Sequence, residues 1–122
     1  MVTPEEFRAK IRELISQDYR IVFLGKNFDK IVGFLPETKA GRIYDWLSKV
    51  LKREIQPILI GSKKPYKNWR VNELMTFRHA FQINNTAYRI LLVKVKNLFY
   101  IEFHLGDHNY YDKVRKDLEL RR

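Results

Sequence analysis

Residues 88–112 constrain this chain more than any other stretch, because two adjacent strand patterns run there into a cluster of reactive side chains. Tyr88 to Val95 is rich in aliphatic and β-branched residues, which suit a pleated, half-buried surface. Leu98 to Leu105 alternates. Phe99, Ile101, Phe103 and Leu105 fall on one face, and Tyr100, Glu102 and His104 on the other. A tight turn at Lys96-Asn97 sets Val95 against Leu98, and counting back puts Arg89 directly across from His104. Gly106, Asp107, His108, Tyr110, Tyr111 and Asp112 follow at once. The expectation is that a cation, two imidazoles and two phenols meet at one end of a sheet.

The segment before it extends the sheet. Arg78 to Ile83 reads as a strand and Asn84-Asn85-Thr86 as a turn. With Ile83 facing Tyr88, Gln82 faces Arg89 and Arg78 faces Val93. Arg78, Gln82, Arg89, Tyr100, Glu102 and His104 then project from one side of a three-stranded antiparallel sheet. Tyr88, Ile90, Leu92, Phe99, Ile101, Phe103 and Leu105 pack from the other side against helices. A slip of one residue in either hairpin would undo this arrangement.

Helical patterns account for much of the rest. Thr3-Pro4-Glu5-Glu6 carries a cap, a proline suited to the first helical position and a capping box, and Phe7, Ile11, Leu14 and Ile15 follow at helical spacing. Tyr19 to Leu24 is a short apolar strand ending at Gly25. Phe28, Ile31, Val32 and Leu35 predict a short helix that stops at Pro36. A longer one covers Glu37 to Ile55, with a stripe of Ile43, Trp46, Leu47, Val50, Leu51 and Ile55. These two form a helical hairpin, and Pro57 stops the second. Asn109 to Leu118 closes the chain as a helix with Tyr111, Val114 and Leu118 inward. The fold class is therefore α+β. An antiparallel meander is packed on one face by a helical hairpin, with a short C-terminal helix and an additional N-terminal helix over residues 1–17. All 122 residues belong to one domain.

Charge narrows the partners. Lysine and arginine number 24 against 14 acids, a net charge of +10, which favours a polyanion such as nucleic acid. Between Gly61 and Arg70, Lys63, Lys64, Lys67 and Arg70 interleave with Tyr66 and Trp69. Two readings fit that loop: cations and rings for single-stranded nucleic acid, or a solvated loop whose aromatics tuck into the core. Lys113 and Lys116 add charge on the last helix. Cysteine is absent, which excludes disulfides and thiolate metal sites. No apolar run is long enough to span a bilayer and no signal-peptide layout opens the sequence, so the expected location is the cytoplasm, without a membrane partner.

One strand, a helical hairpin, an antiparallel meander and a short last helix resemble, in that order, the RelE/ParE toxin superfamily of type II toxin–antitoxin systems. Tyr88-Arg89-Ile90-Leu91 is similar to the Tyr-Arg-hydrophobic strand of RelE-like toxins. Gly106-Asp107-His108-Asn109-Tyr110-Tyr111-Asp112 is similar to the Gly-Thr-His-x-x-Tyr-Asp ending of HigB-type toxins, with Asp107 in place of threonine. The resemblance implies a ribosome-dependent mRNA endonuclease, working without metal or other cofactor and held in check by a cognate antitoxin. It implies that Arg89 binds the scissile phosphate and that His108 and Tyr111 (or Tyr110) complete the site. Lys63, Lys64, Lys67 and Arg70 stand for the family's lysines without a one-to-one match. ParE-like relatives instead inhibit DNA gyrase by binding, and a basic nucleic-acid-binding module is a third reading.

The nuclease chemistry needs no metal, because RNA brings its own nucleophile. The protein must align the 2′-hydroxyl, take its proton and stabilise the phosphoryl charge. Histidine suits the proton transfer, and Arg89, assisted by Arg78, suits the charge. Each residue also has a structural reading. His104 can simply hydrogen-bond a strand neighbour, His108 can cap the last helix, and either tyrosine can pack or stack on a base. His104 and His108 lie four apart near Asp107 and Asp112, but Gly106 interrupts any helix that would bring both imidazoles to a metal.

Overall fold

Thr3 caps the chain's first helix, α1 (Pro4–Leu14): its side chain accepts a hydrogen bond from the Glu6 backbone N–H at 3.1 Å and donates to the Glu6 carboxylate, and Pro4 supplies the preset φ of the first turn. Phe7, Ile11 and Ile15 are buried, so α1 is part of the core rather than an appendage to it. The computed structural model describes residues 2–57, 59–60, 74–95 and 98–117. After β1 (Arg20–Leu24) come α2 (Phe28–Gly33) and α3 (Glu37–Leu51). The second helix of the hairpin ends at Leu51, not at Ile55 as the apolar stripe suggested. Arg53 adopts φ 62°, a left-handed conformation that stops a helix, and Leu51 is exposed.

The remaining strands are β2 (Leu59–Ile60), β3 (Leu74–Ile83), β4 (Thr86–Val95) and β5 (Tyr100–Asp107). They form one mixed sheet in the order β1-β5-β4-β3-β2, with β1 parallel to β5 and the other neighbours antiparallel. α4 (His108–Asp117) closes the described chain.

Both expected hairpin registers are corrected. Asn84 and Asn85 have φ of 48° and 71°, the pair of left-handed residues that makes a two-residue hairpin turn. Thr86 therefore belongs to β4 and pairs with Ile83, while Gln82 faces Ala87 and Arg78 faces Leu91. On the other side of β4, Arg89 faces Gly106 and His104 faces Leu91, so Arg89 and His104 are not partners. The connection is longer than a two-residue turn. Leu98 N–H bonds back to the Val95 carbonyl, Phe99 carbonyl accepts from Arg20 N–H at 2.8 Å, and the strand starts only at Tyr100. Lys96 and Asn97 lie outside the described residues. Phe99, expected in the core, is 65% exposed and meets Tyr19 edge-on.

Each register moves by an even step, so side chains keep their faces. One face packs Ile90, Leu92, Ile101, Phe103 and Leu105 against α1, α2 and α3. The other packs Leu74, Leu91, Val93 and Val95 under Tyr111 and Val114 of α4. Helices thus cover both faces, and α4 lies on the face that carries Arg78, Arg89 and His104. At Gly25 the chain passes so close to β5 that a Cβ would sit 2.1 Å from the Leu105 carbonyl oxygen, a position only glycine tolerates.

Candidate functional site

α4 begins where β5 ends, without an intervening turn. Asp107 caps it, its Oδ1 accepting from Tyr110 N–H at 2.9 Å. Gly106 makes the junction possible, since a Cβ there would lie 2.6 Å from the Tyr110 ring. Gly106→Ala is expected to push that ring aside and cost about 1–3 kcal/mol, read as a lowered melting temperature. Helical spacing then divides α4 into two flanks. His108, Tyr111, Asp112 and Arg115 share one, and Asn109, Tyr110 and Lys113 the other.

On the first flank, two arginines converge on one ring. Tyr111 is buried, with the Arg89 guanidinium 5.0 Å and the Arg78 guanidinium 5.9 Å from its ring centroid. Arg78 Nη1 also donates to the Tyr111 hydroxyl at 3.5 Å. Arg78 faces Leu91, so it is the diagonal neighbour of Arg89 across the two strands. Among the described residues no carboxylate is within ion-pair distance of either guanidinium. Two like charges held together with no counter-ion among the described residues favour an anion arriving from outside.

His108 stands on the same flank as Tyr111. Its Nε2 is 3.1 Å from Asp112 Oδ2, and Arg115 Nε approaches the other oxygen of that carboxylate at 3.7 Å. At 57% exposure the imidazole side chain is open to solvent. A carboxylate bound to Nε2–H fixes the tautomer and leaves Nδ1 free to accept a proton.

His104 is separated from this group. It is buried, its Nε2 is 2.9 Å from Glu102 Oε1, and its Nδ1 is 2.9 Å from the Tyr110 hydroxyl. Tyr100 donates to the second Glu102 oxygen at 2.8 Å. Burial, reinforced by the Glu102 and Asp117 carboxylates, pushes the Tyr110 phenol up to about 12, and burial and the Glu102 carboxylate also raise that of Tyr100. Both phenols therefore stay protonated at neutral pH. The Tyr110 hydroxyl shares a hydrogen bond with Nδ1, and Nε2–H donates to Glu102. The expected single cluster is thus two groups: Arg78, Arg89 and Tyr111, with His108 on the same helix flank, and a separate chain of Tyr100, Glu102, His104 and Tyr110. Lys113 and Lys116 are exposed on α4, whereas Lys63, Lys64, Lys67 and Arg70 lie outside the described residues.

A third histidine escaped the sequence reading. His79 sits on the helix-packed face, 5.3 Å ring to ring from Trp46 and stacked on Phe81, and burial lowers its pKa. A polar residue at an apolar position of β3 was the signal that could have found it. The unfolded chain takes up a proton near pH 6.5 while folded His79 does not, so stability should fall as pH drops below about 6.5 and level off under the folded pKa. His79→Phe should remove that component from the pH dependence of urea unfolding.

No family model, curated protein or solved structure significantly matches the chain. Among the described residues no helix is long and apolar enough to cross a membrane, and no three His, Asp or Glu side chains are grouped to hold a metal ion.

Proposed function

We propose that the protein is a RelE/HigB-type toxin, a ribosome-dependent endoribonuclease of the cytoplasm that cuts mRNA and is neutralised by a cognate antitoxin. The observation that carries this reading is the pair of guanidiniums on the Tyr111 ring, with no carboxylate of the described residues in ion-pair reach, on the helix flank that also carries the His108–Asp112 pair. The RelE-like topology is supported by β1 lying parallel to β5, by the α2–α3 hairpin after β1 and by the β3-β4-β5 meander before α4.

In this reading a phosphate seats between Arg78 and Arg89, whose planar donor forks match its oxygens. His108 Nδ1 takes the proton of the 2′-hydroxyl, the 2′-oxygen bonds to phosphorus, and the 5′-oxygen leaves with a proton drawn from water. The products are a 2′,3′-cyclic phosphate and a 5′-hydroxyl. Asp112 keeps the imidazole oriented and stabilises the imidazolium that forms. Tyr111 positions the arginines, and Tyr110 belongs to the chain that anchors the helix.

The test is cleavage of a defined mRNA by purified protein with and without translating ribosomes. Cuts at a fixed place in the decoded codon, only with ribosomes, are expected. Cuts on naked RNA would keep the nuclease and discard the ribosome as scaffold. Folded protein that cuts under neither condition would overturn the proposal and favour a ParE-like gyrase binder, whose toxicity should survive His108→Ala.

A further inference from the structure

We propose that a cleft on the other flank of α4 binds one nucleotide unit of single-stranded RNA, the base against Phe34 and the phosphates against Lys26, Lys30 and Lys113. The choice of RNA rests on the reading above, but the cleft stands on its own observations. It opens between the end of β1, α2, the start of β4 and the first turn of α4, with a volume of about 790 Å³. That is within the range of about 300–1,000 Å³ usual for clefts that take cofactor-sized ligands.

Its lining is chemically lopsided. The three lysines come from three different places: Lys26 from the loop after β1, Lys30 from α2 and Lys113 from α4. The one acid in the lining is Asp107, whose Oδ1 is engaged by the Tyr110 N–H. Phe34 lines the same space and is 54% exposed; the other exposed phenylalanine among the described residues, Phe99, packs edge-on against Tyr19 instead. An exposed ring beside clustered cations is the combination that holds single strands, since rings stack on bases while cations hold phosphates. Asn27 and Asn109 add donors and acceptors for a base edge. A paired duplex has no free base face to offer Phe34, which leaves the single strand as the occupant.

α4 then works as a partition. The arginine site lies on one flank and the lysine cleft on the other, and a strand crossing the N-terminal end of the helix touches both. Arg89 holds the phosphate that reacts, and the cleft holds a neighbouring nucleotide and sets its register.

Binding of a fluorescein-labelled 2′-O-methyl oligoribonucleotide, which lacks the nucleophile and cannot be cut, tests this separately from cleavage. Anisotropy titrations over a range of salt should show that the Lys26→Gln/Lys30→Gln/Lys113→Gln protein binds at least about tenfold more weakly. Its slope of log affinity against log salt should be flatter by about 1.4, the two phosphates that flank one nucleotide at about 0.7 each. Phe34→Ala should lose affinity with the slope unchanged. Parent-like affinity and slope in the triple variant, or parent-like affinity in Phe34→Ala, would overturn the proposal. So would adenosine monophosphate binding as tightly as the oligonucleotide, which would make the cleft a site for free nucleotides. A protein that binds as expected yet cuts no mRNA would keep the cleft and sink only the nuclease reading.

Discussion

Arg89→Ala is expected to fold like the parent and to cut about 10²–10³-fold more slowly, the usual consequence of removing one preorganised charge stabiliser. The structure gives little reason for instability. Arg89 is only half-buried, faces Gly106 across the strand, and makes its one described ring contact with Tyr111 at 5.0 Å. Such a cation–π contact is worth about 0.5–1 kcal/mol, and its loss also relieves repulsion from Arg78. Arg89→Lys separates charge from shape. Lysine keeps the positive charge but loses the planar fork and the stacking surface, so it should recover a minor part of the rate. The checks are single-turnover cleavage in the ribosome assay and a thermal melt of each variant. A folded Arg89→Ala protein that cuts at the parent rate would remove this arginine from the mechanism.

Sequence patterns assigned these side chains to faces of the sheet more securely than they paired them. Within β3, β4 and β5 alternation assigns faces correctly, Phe99 before the strand excepted, because the period of a strand is two and an even register error leaves strand residues on their own side. Pairing depends instead on the turns. Asn84-Asn85 closes its hairpin with both residues left-handed, and the β4–β5 connection runs on to Tyr100. Neither length is written in the hydrophobic pattern. The same limit applies to α4: its inward residues Tyr111 and Val114 follow from helical spacing, but the face of the sheet it covers does not. That choice decides that Tyr111 meets the arginines and Tyr110 meets His104. The lysine cleft was further out of reach, since Lys26, Lys30 and Lys113 are brought together only by the tertiary fold.

Glu102→Ala is expected to destabilise the protein by about 2–5 kcal/mol, since two donors lose their acceptor at about 1–3 kcal/mol each when a partner is removed. Glu102 is fully buried and accepts from both His104 Nε2 and Tyr100 O–H, so its loss takes this acceptor from buried His104 and half-buried Tyr100 and opens a void. Against a total stability of about 5–15 kcal/mol for a domain of this kind, that is a large share. Glu102→Gln should cost less, because its amide oxygen still accepts one bond and the Tyr100 hydroxyl can turn to accept from the amide nitrogen. The double variant Glu102→Ala/His104→Ala should fall well short of the sum of the singles, as expected when both residues serve one network. Because the chain ends on the Tyr110 hydroxyl, its failure also loosens the first turn of α4, which carries His108 and Tyr111. Hydrogen exchange should therefore rise in α4 before it rises in α1 or α3. Urea unfolding within about 1 kcal/mol of the parent, with α4 protection intact, would show that this hydrogen-bonded chain is not what holds the helix, and with it His108, against the sheet.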